Sequence, residues 1–167
     1  KLFKKFNKNI INLTFKEAEL AKLFSNAWRN IKFSVANQFY MFSTEKEINF
    51  NNVRNAMIKD YPRNKDFPKP GFTAGPCLVK DTLQTSAYNL NHNSLLLDSV
   101  RINESLPSFL VSKLENIIEI KKINIGILGM AFKKNIDDAR DSLSFKLKKI
   151  LEMKGANVLC SDPYIKM

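Results

Sequence analysis

Histidine occurs once in this 167-residue chain, at His92, and cysteine twice, at Cys77 and Cys160. A histidine-based catalytic dyad or histidine-rich metal site is therefore nearly excluded. No Cys-x-x-Cys spacing offers a metal site in its place, so no metal is expected. Two cysteines are too few for a disulfide framework, and no secretory signal is visible. No apolar run is long enough to span a bilayer, so no membrane partner is expected and the reading is cytoplasmic. Glycine is sparse, with 5 residues, and no Gly-x-Gly-x-x-Gly phosphate loop occurs. Neither an internal repeat nor a low-complexity linker is present.

Positive charge, by contrast, is in excess. Lys+Arg number 27 against Asp+Glu 16, a net +11. Such a balance is compatible with nucleic acid, an anionic membrane surface or a phosphorylated ligand. The lysines are scattered rather than striped, which favours solvated faces, and no nucleic-acid partner is expected. The one dense basic run, Lys1 to Lys8, is too short to carry a membrane-binding claim. With 44% apolar residues, the chain can form one sizeable core or two small ones.

Thr14 and Glu17 have capping-box spacing ahead of a helical apolar period at Leu20, Leu23, Phe24, Ala27, Trp28, Ile31 and Val35. This predicts a long helix from Lys16 to Phe42. Lys22 and Asn26, four apart, share one face, and Asn30 and Asn37 continue along it. A second helix is expected over Asn51 to Asp60. Pro62, Pro68, Pro70 and Gly71 then enforce a loop up to Cys77. Asp81 is read as the cap of a short helix reaching Leu90, followed by a turn at Asn91 to Ser94. Another long helix is expected from Ser94 to Glu119, with Pro107 kinking or dividing it. Beyond it the pattern changes. Ile123 to Leu128 reads as a strand, Ser142 to Met153 as a helix ended by Gly155, and Asn157 to Cys160 as a second strand. Strand, helix and strand make a βαβ unit, the opening of a doubly wound parallel sheet. The expected fold is mainly α with a partial α/β unit. Two strands cannot hold a sheet alone, and both chain ends read as cuts through a larger protein.

The segment Gly71-Phe72-Thr73-Ala74-Gly75-Pro76-Cys77-Leu78-Val79-Lys80-Asp81 places one cysteine at the end of a Gly/Pro loop. Such loops let backbone approach a ligand closely. A thiolate is a strong nucleophile and is favoured beside a cation, while a nearby aspartate can take a proton or activate water. Taken alone, a small buried cysteine in a turn is the commoner explanation.

Three blocks change that balance. They are Ala18-Glu19-Leu20-Ala21-Lys22-Leu23-Phe24-Ser25-Asn26 with Ala36-Asn37, then Gly75 to Asp81, then Gly126-Ile127-Leu128-Gly129-Met130-Ala131-Phe132-Lys133 continuing through Asp137-Asp138-Ala139-Arg140-Asp141-Ser142. In this order the chain resembles the UDP-glucose/GDP-mannose dehydrogenase family, NAD-dependent enzymes that oxidise a nucleotide sugar to its uronic acid. The resemblance implies that residues 1–15 end an N-terminal NAD-binding domain. Residues 16–119 would form a central helical dimerisation domain, and residues 120–167 would begin a UDP-sugar-binding domain. It implies NAD as cofactor, a UDP-sugar as substrate, and a homodimer through the long helix, whose apolar residues extend too far around it to be covered by so small a chain. This chain by itself is expected not to turn over, since the NAD-binding half is missing from it. A non-catalytic truncated dimerisation module is the competing expectation.

The resemblance also assigns residues. Cys77 matches the nucleophile that captures the aldehyde as a thiohemiacetal and carries the later thioester. Lys22 and Asn26 match donors to the reacting oxygen and a water. Asp81 matches the aspartate that positions or activates that water. Lys133, with Phe132 before it, matches the lysine that meets the sugar nucleotide. Arg63 resembles an arginine reaching a neighbouring subunit's site. Gly71 and Gly75 would offer backbone amides around the sugar, and Lys80 would act electrostatically. Arg140 matches an arginine that contacts NAD, its alternative being an ion pair with Asp137 or Asp141. The family commonly shows Gly-Gly-x-Cys, whereas this chain has Ala74-Gly75-Pro76-Cys77. That difference narrows the loop, puts UDP-glucose in doubt and leaves UDP-N-acetylhexosamines open. Gln38 follows Asn37 where many relatives have glutamate.

Overall fold

A computed structural model describes residues 5–6, 9–88 and 94–166. Helix α1 spans Phe15–Glu45. Its start is a complete capping box: Thr14 Oγ1 accepts from Glu17 N at 3.3 Å, and Thr14 N donates to Glu17 Oε2 at 2.7 Å. Helix α2 follows at Phe50–Ile58, capped by Asn49, and a short 3₁₀ turn covers Pro62–Asn64. Helix α3 is Pro76–Ala87 and α4 is Leu95–Glu115. The last elements are strand β1 at Asn124–Leu128, helix α5 at Leu143–Met153 and strand β2 at Asn157–Ser161.

The greatest departure from expectation is α3. It begins five residues before Asp81, so Asp81 is not its cap but lies inside it. Pro76 explains the early start. Its missing N–H would have no partner in a first turn, and its fixed φ already suits a helix. Gly75 takes the N-cap position with no side-chain cap. Pro107 does not divide α4, which runs through it without a break. An interior proline costs about 3 kcal/mol, and here its ring is fully buried beside Leu106. Helix α1 continues past Phe42, and α2 starts earlier and ends earlier than its apolar pattern suggests. The expected turn at Asn91 to Ser94 falls largely outside the described residues.

Helix α4 joins the two halves. Its first part packs with α1 and α3, and its end lies against α5. Val111 near that end shares a core with Ile120, Ile127, Met130 and Leu151. Each fully buried aliphatic side chain there contributes roughly 1.5–3 kcal/mol. β1 and β2 pair in parallel, with Asn124 opposite Asn157 and Leu128 opposite Ser161. This is the expected βαβ unit.

The contact between α1 and α4 is polar where an apolar seam would be usual. Asn30, Ser34, Asn37, Ser99 and Asn103 are all at most 2% exposed. Asn103 Nδ2 donates to Asn30 Oδ1 at 3.0 Å, and Asn30 Nδ2 donates to Ser99 Oγ at 2.8 Å. Buried amides of this kind are tolerated only when their partners are present, and these are.

Candidate active site

Gly75 fixes how the chain enters α3. Its φ of +106° and ψ of 149° lie where only glycine is comfortable. A Cβ at this position would meet the Phe132 ring at 2.8 Å and 2.9 Å. The loop before Cys77 thus touches the loop after β1 directly. We predict that Gly75→Ala costs about 1–3 kcal/mol in backbone strain and about 1–3 kcal/mol more from the forced ring contact. Gly71→Ala, with nothing within 4 Å of its added Cβ, should be nearly neutral. Thermal unfolding of the two variants checks this, and equal destabilisation would refute it.

Cys77 is exposed, in the first turn of α3. First-turn amides have no partner within the helix, and negative charge is favoured there. Asp81 lies one helical turn further, on the same face. It is 1% exposed, and its Oδ2 accepts from Lys22 Nζ at 2.5 Å and from Asn26 Nδ2 at 2.6 Å. The helix face read from the sequence therefore meets the cysteine helix through one carboxylate oxygen. Asp81 Oδ1 is buried and has no hydrogen-bond partner among the described residues, and Lys80 Nζ approaches it only to 3.8 Å.

Burial is the largest influence on Asp81 and opposes its charge. The hydrogen bonds from Lys22 and Asn26, with attraction from Lys22 and Lys80, together outweigh it and hold the carboxyl below its usual range. Lys22 is held above its usual range, first by the hydrogen bond to Asp81 and then by Coulombic attraction to Asp81 and Cys77, against some desolvation. At neutral pH the pair is an ammonium and a carboxylate. Lys22 is suited to donate to a developing oxyanion, and Asp81 to accept.

Arg140 is ion-paired, which corrects only the partner expected for the ion-pair alternative. Its partner is Asp138 rather than Asp137 or Asp141: Nη2 to Oδ2 is 2.6 Å, and Nε reaches Oδ1 at 3.0 Å. Its side chain is 73% exposed. Its pKa is raised mainly by Asp138, and Cys77 is among the lesser causes. Asp138 is also tied to the neighbouring loop, because Phe132 N donates to its backbone oxygen at 3.1 Å.

That loop is held by Asp162. Its Oδ2 accepts from Met130 N at 2.7 Å and Ala131 N at 3.0 Å, and its Oδ1 accepts from Tyr164 N and Ile165 N. These backbone donors lower its pKa to about 2. Phe132 and Lys133, which follow, line a cavity of about 210 Å³ together with Arg29, Phe33, Thr73 and Leu78. Lys133 also borders a second cavity of about 410 Å³ with Lys134 and Tyr164.

Lys22, Asn26, Cys77, Lys80 and Asp81 are thus brought together, with Gly75 and Phe132 in contact beside them. Gly71 is set apart from this group, paired with Asn37. Arg63 does not join it either. It lines a separate cleft of about 250 Å³ with Trp28, Lys32 and Phe67. Arg29 and Phe33 escaped the sequence reading. They follow Asn26 by three and seven residues, so the helical period that paired Lys22 with Asn26 was the signal for both.

Comparison with known proteins places the chain beside one group of relatives. The pattern of the UDP-glucose/GDP-mannose dehydrogenase family, central domain, matches residues 16–105, and that of the same family's UDP binding domain matches residues 126–167. The UDP-N-acetyl-D-mannosamine dehydrogenase of Pyrococcus horikoshii is 30% identical over 99% of this chain and 41% of its own length. The UDP-glucose 6-dehydrogenase of Bacillus subtilis is 30% identical over 97% of this chain and 38% of its own. Among solved structures, the UDP-D-ManNAc dehydrogenase from Pyrococcus horikoshii superimposes with a TM-score of 0.78 at 29% identity, covering 90% of this chain and 37% of that one. The chain therefore spans about two fifths of the length of these relatives.

Proposed function

Because the chain belongs to the UDP-glucose/GDP-mannose dehydrogenase family, a family of nucleotide-sugar oxidoreductases, we propose that it is part of an NAD-dependent 6-dehydrogenase. The reaction is oxidation of a UDP-sugar primary alcohol to the uronic acid. One observation carries the reading: Lys22 and Asn26 converge on Asp81 Oδ2, and the exposed Cys77 thiol stands one turn away on the same face of α3.

The alcohol carbon first loses a hydride and its oxygen a proton, which gives an aldehyde. Cys77 Sγ adds to that carbon, the C–S bond forms, and the carbonyl pair moves onto oxygen. Lys22 and Asn26 donate to the oxyanion, which takes a proton to become a thiohemiacetal hydroxyl. Loss of a second hydride and proton leaves a thioester on Cys77. Water adds to the thioester, the C–S bond breaks, and the thiolate departs from the carboxylic acid. Asp81 Oδ1, an acceptor without a hydrogen-bond partner among the described residues, orients that water. NAD, when bound, would supply the hydride acceptor, one molecule for each of the two oxidations. Arg140, exposed and cationic, suits one of its phosphates, while the chain contains no glycine phosphate loop to cradle them. Phe132 and Lys133 hold the UDP-sugar, with Gly75 supplying loop backbone, Lys80 lending positive charge, and Arg63 serving a neighbouring subunit; Gly71, whose N–H and C=O are both taken by Asn37, anchors the loop instead.

The test is product stoichiometry with the full-length protein and a series of UDP-sugars, UDP-glucose and UDP-N-acetylmannosamine among them. The expected result is two NADH per acid formed. Absence of NAD reduction with every UDP-sugar would overturn the reading.

The same reading includes a homodimer through α1. Phe24, Trp28, Phe39 and Phe42 on that helix are 43–60% exposed, more apolar surface than a lone helix face carries comfortably. Light scattering on the full-length protein should give a dimer mass, and a monomer at high concentration would refute it.

A further inference from the structure

Asn37 makes a two-point pair with a single backbone residue. Its Oδ1 accepts from Gly71 N at 2.8 Å, and its Nδ2 donates to Gly71 O at 3.0 Å. A side-chain amide is the neutral group that offers an acceptor and a donor side by side, so it matches a peptide's N–H and C=O. Asn37 is itself 0% exposed, and its Nδ2 also donates to Asn103 Oδ1 at 2.9 Å. Asn103 passes the chain to Asn30, Asn30 to Ser99, and Ser99 Oγ donates to Leu96 O at 2.7 Å. Each amide orients the next, so the Asn37 amide has one allowed orientation.

The other end of the same segment is pinned to the same helix. Asp81 is held by Lys22 and Asn26 of α1, and Gly71 is held by Asn37 of α1. Asn26 and Asn37 lie eleven residues apart, about 16 Å along a rigid helix. The segment from Gly71 to Asp81 is therefore suspended between two fixed points, with Cys77 between them. Thr73, Ala74 and Gly75 are buried along the span.

We propose that Asn37, backed by Asn103 and Asn30, is a positioning residue that sets the place of Cys77 relative to Lys22 and Asn26. This rests on the function proposed above. Loss of the Gly71 pin lets the front of the segment shift while the Asp81 pin stays. A shift of 1 Å at a reacting atom costs about a hundredfold in rate.

The experiment uses full-length protein in a Cys160→Ser background and compares Asn37→Ala with Val111→Ala, a truncation in the separate core around Met130. Three quantities are read: the iodoacetamide alkylation rate of Cys77, hydrogen exchange of the peptide 71–77, and kcat against KM for the UDP-sugar. Asn37→Ala is expected to speed exchange in 71–77, to change the alkylation rate at least threefold, and to lower kcat about ten- to a hundredfold, with KM moved less than threefold. Val111→Ala is expected to lower Tm without these changes. If Asn37→Ala does not fold, Asn103→Ala, which leaves the Gly71 pair but frees its amide, replaces it with the same readouts. Unchanged alkylation, exchange and kcat in a folded Asn37 or Asn103 variant would overturn the proposal. Altered alkylation and exchange with no UDP-sugar turnover in the parent protein would instead count against the proposed reaction and leave the pin standing.

Discussion

Under the proposed reaction, Cys77→Ala in the full-length protein is expected to abolish uronic acid formation, with a fall of more than about a thousandfold from loss of a covalent nucleophile. The variant should fold, because Cys77 is exposed and contributes little to the core. The alcohol-to-aldehyde step needs no thiol, so a slow release of aldehyde with one NADH per turnover is expected in place of two. Without the C–S bond nothing holds the aldehyde at the site, and an acid product has no thioester from which to arise. Chromatography of the products, with the aldehyde trapped by a hydrazine, separates the cases. Acid at the parent rate would show that Cys77 is a bystander in a helix turn.

Asp81→Asn should have the second largest effect. The amide can keep an oxygen toward Lys22 and Asn26, but its NH₂ then occupies the buried Oδ1 position, which makes no hydrogen bond among the described residues and has the Lys80 ammonium 3.8 Å away. An unsatisfied buried donor costs about 1–3 kcal/mol. The chemical loss is larger, because the amide puts a donor where the carboxylate offers the acceptor that orients the attacking water. Removing such a group lowers turnover by about a hundredfold or more. The deficit should fall on thioester hydrolysis, so the first burst of NADH survives while steady turnover drops. The pH dependence of stability should change as well. The native carboxyl sits below its unfolded value near 3.8. Its contribution is therefore present above that value and lost as pH falls through the lower folded one. Acid titration of Asp81→Asn should lack this component.

Much of this site was legible in the residues. Lys22 and Asn26 could be placed on one face from a spacing of four, and Cys77 and Asp81 have the same spacing. What the spacing could not supply was the helix that carries the second pair. A Gly-Pro pair reads equally as the end of a loop and the start of a helix. The start won here because Pro76 falls at a first-turn position where its ring fits and its missing N–H is no loss. Asp81 was consequently misread as a cap, when it is a buried acceptor. Pro107 was expected to kink or divide its helix, and it does not divide it, because sequence shows the lost hydrogen bond but not the packing that offsets it. Arg140 chose Asp138 over its other acidic neighbours through the local turn, in which Asp138 Oδ1 also accepts from Arg140 N. The asparagine seam was visible only as a repeat of one residue type along α1. Its partners Ser99 and Asn103 lie about seventy residues away, and no local pattern announces such a pairing. The βαβ unit, by contrast, was read nearly to the residue, because β-branched runs bounded by glycine are strong local signals.

The central claim is that Cys77 carries the substrate covalently between the two oxidations, and mass spectrometry of the acyl-enzyme tests it most directly. Full-length Asp81→Asn, mixed with its UDP-sugar and NAD and quenched in acid, should show an intact-mass increase equal to the sugar nucleotide less the hydrogens removed in the two oxidations. Peptide mapping should place it on Cys77. Acid formation by this variant with no covalent species, alongside full activity of Cys77→Ala, would contradict the account.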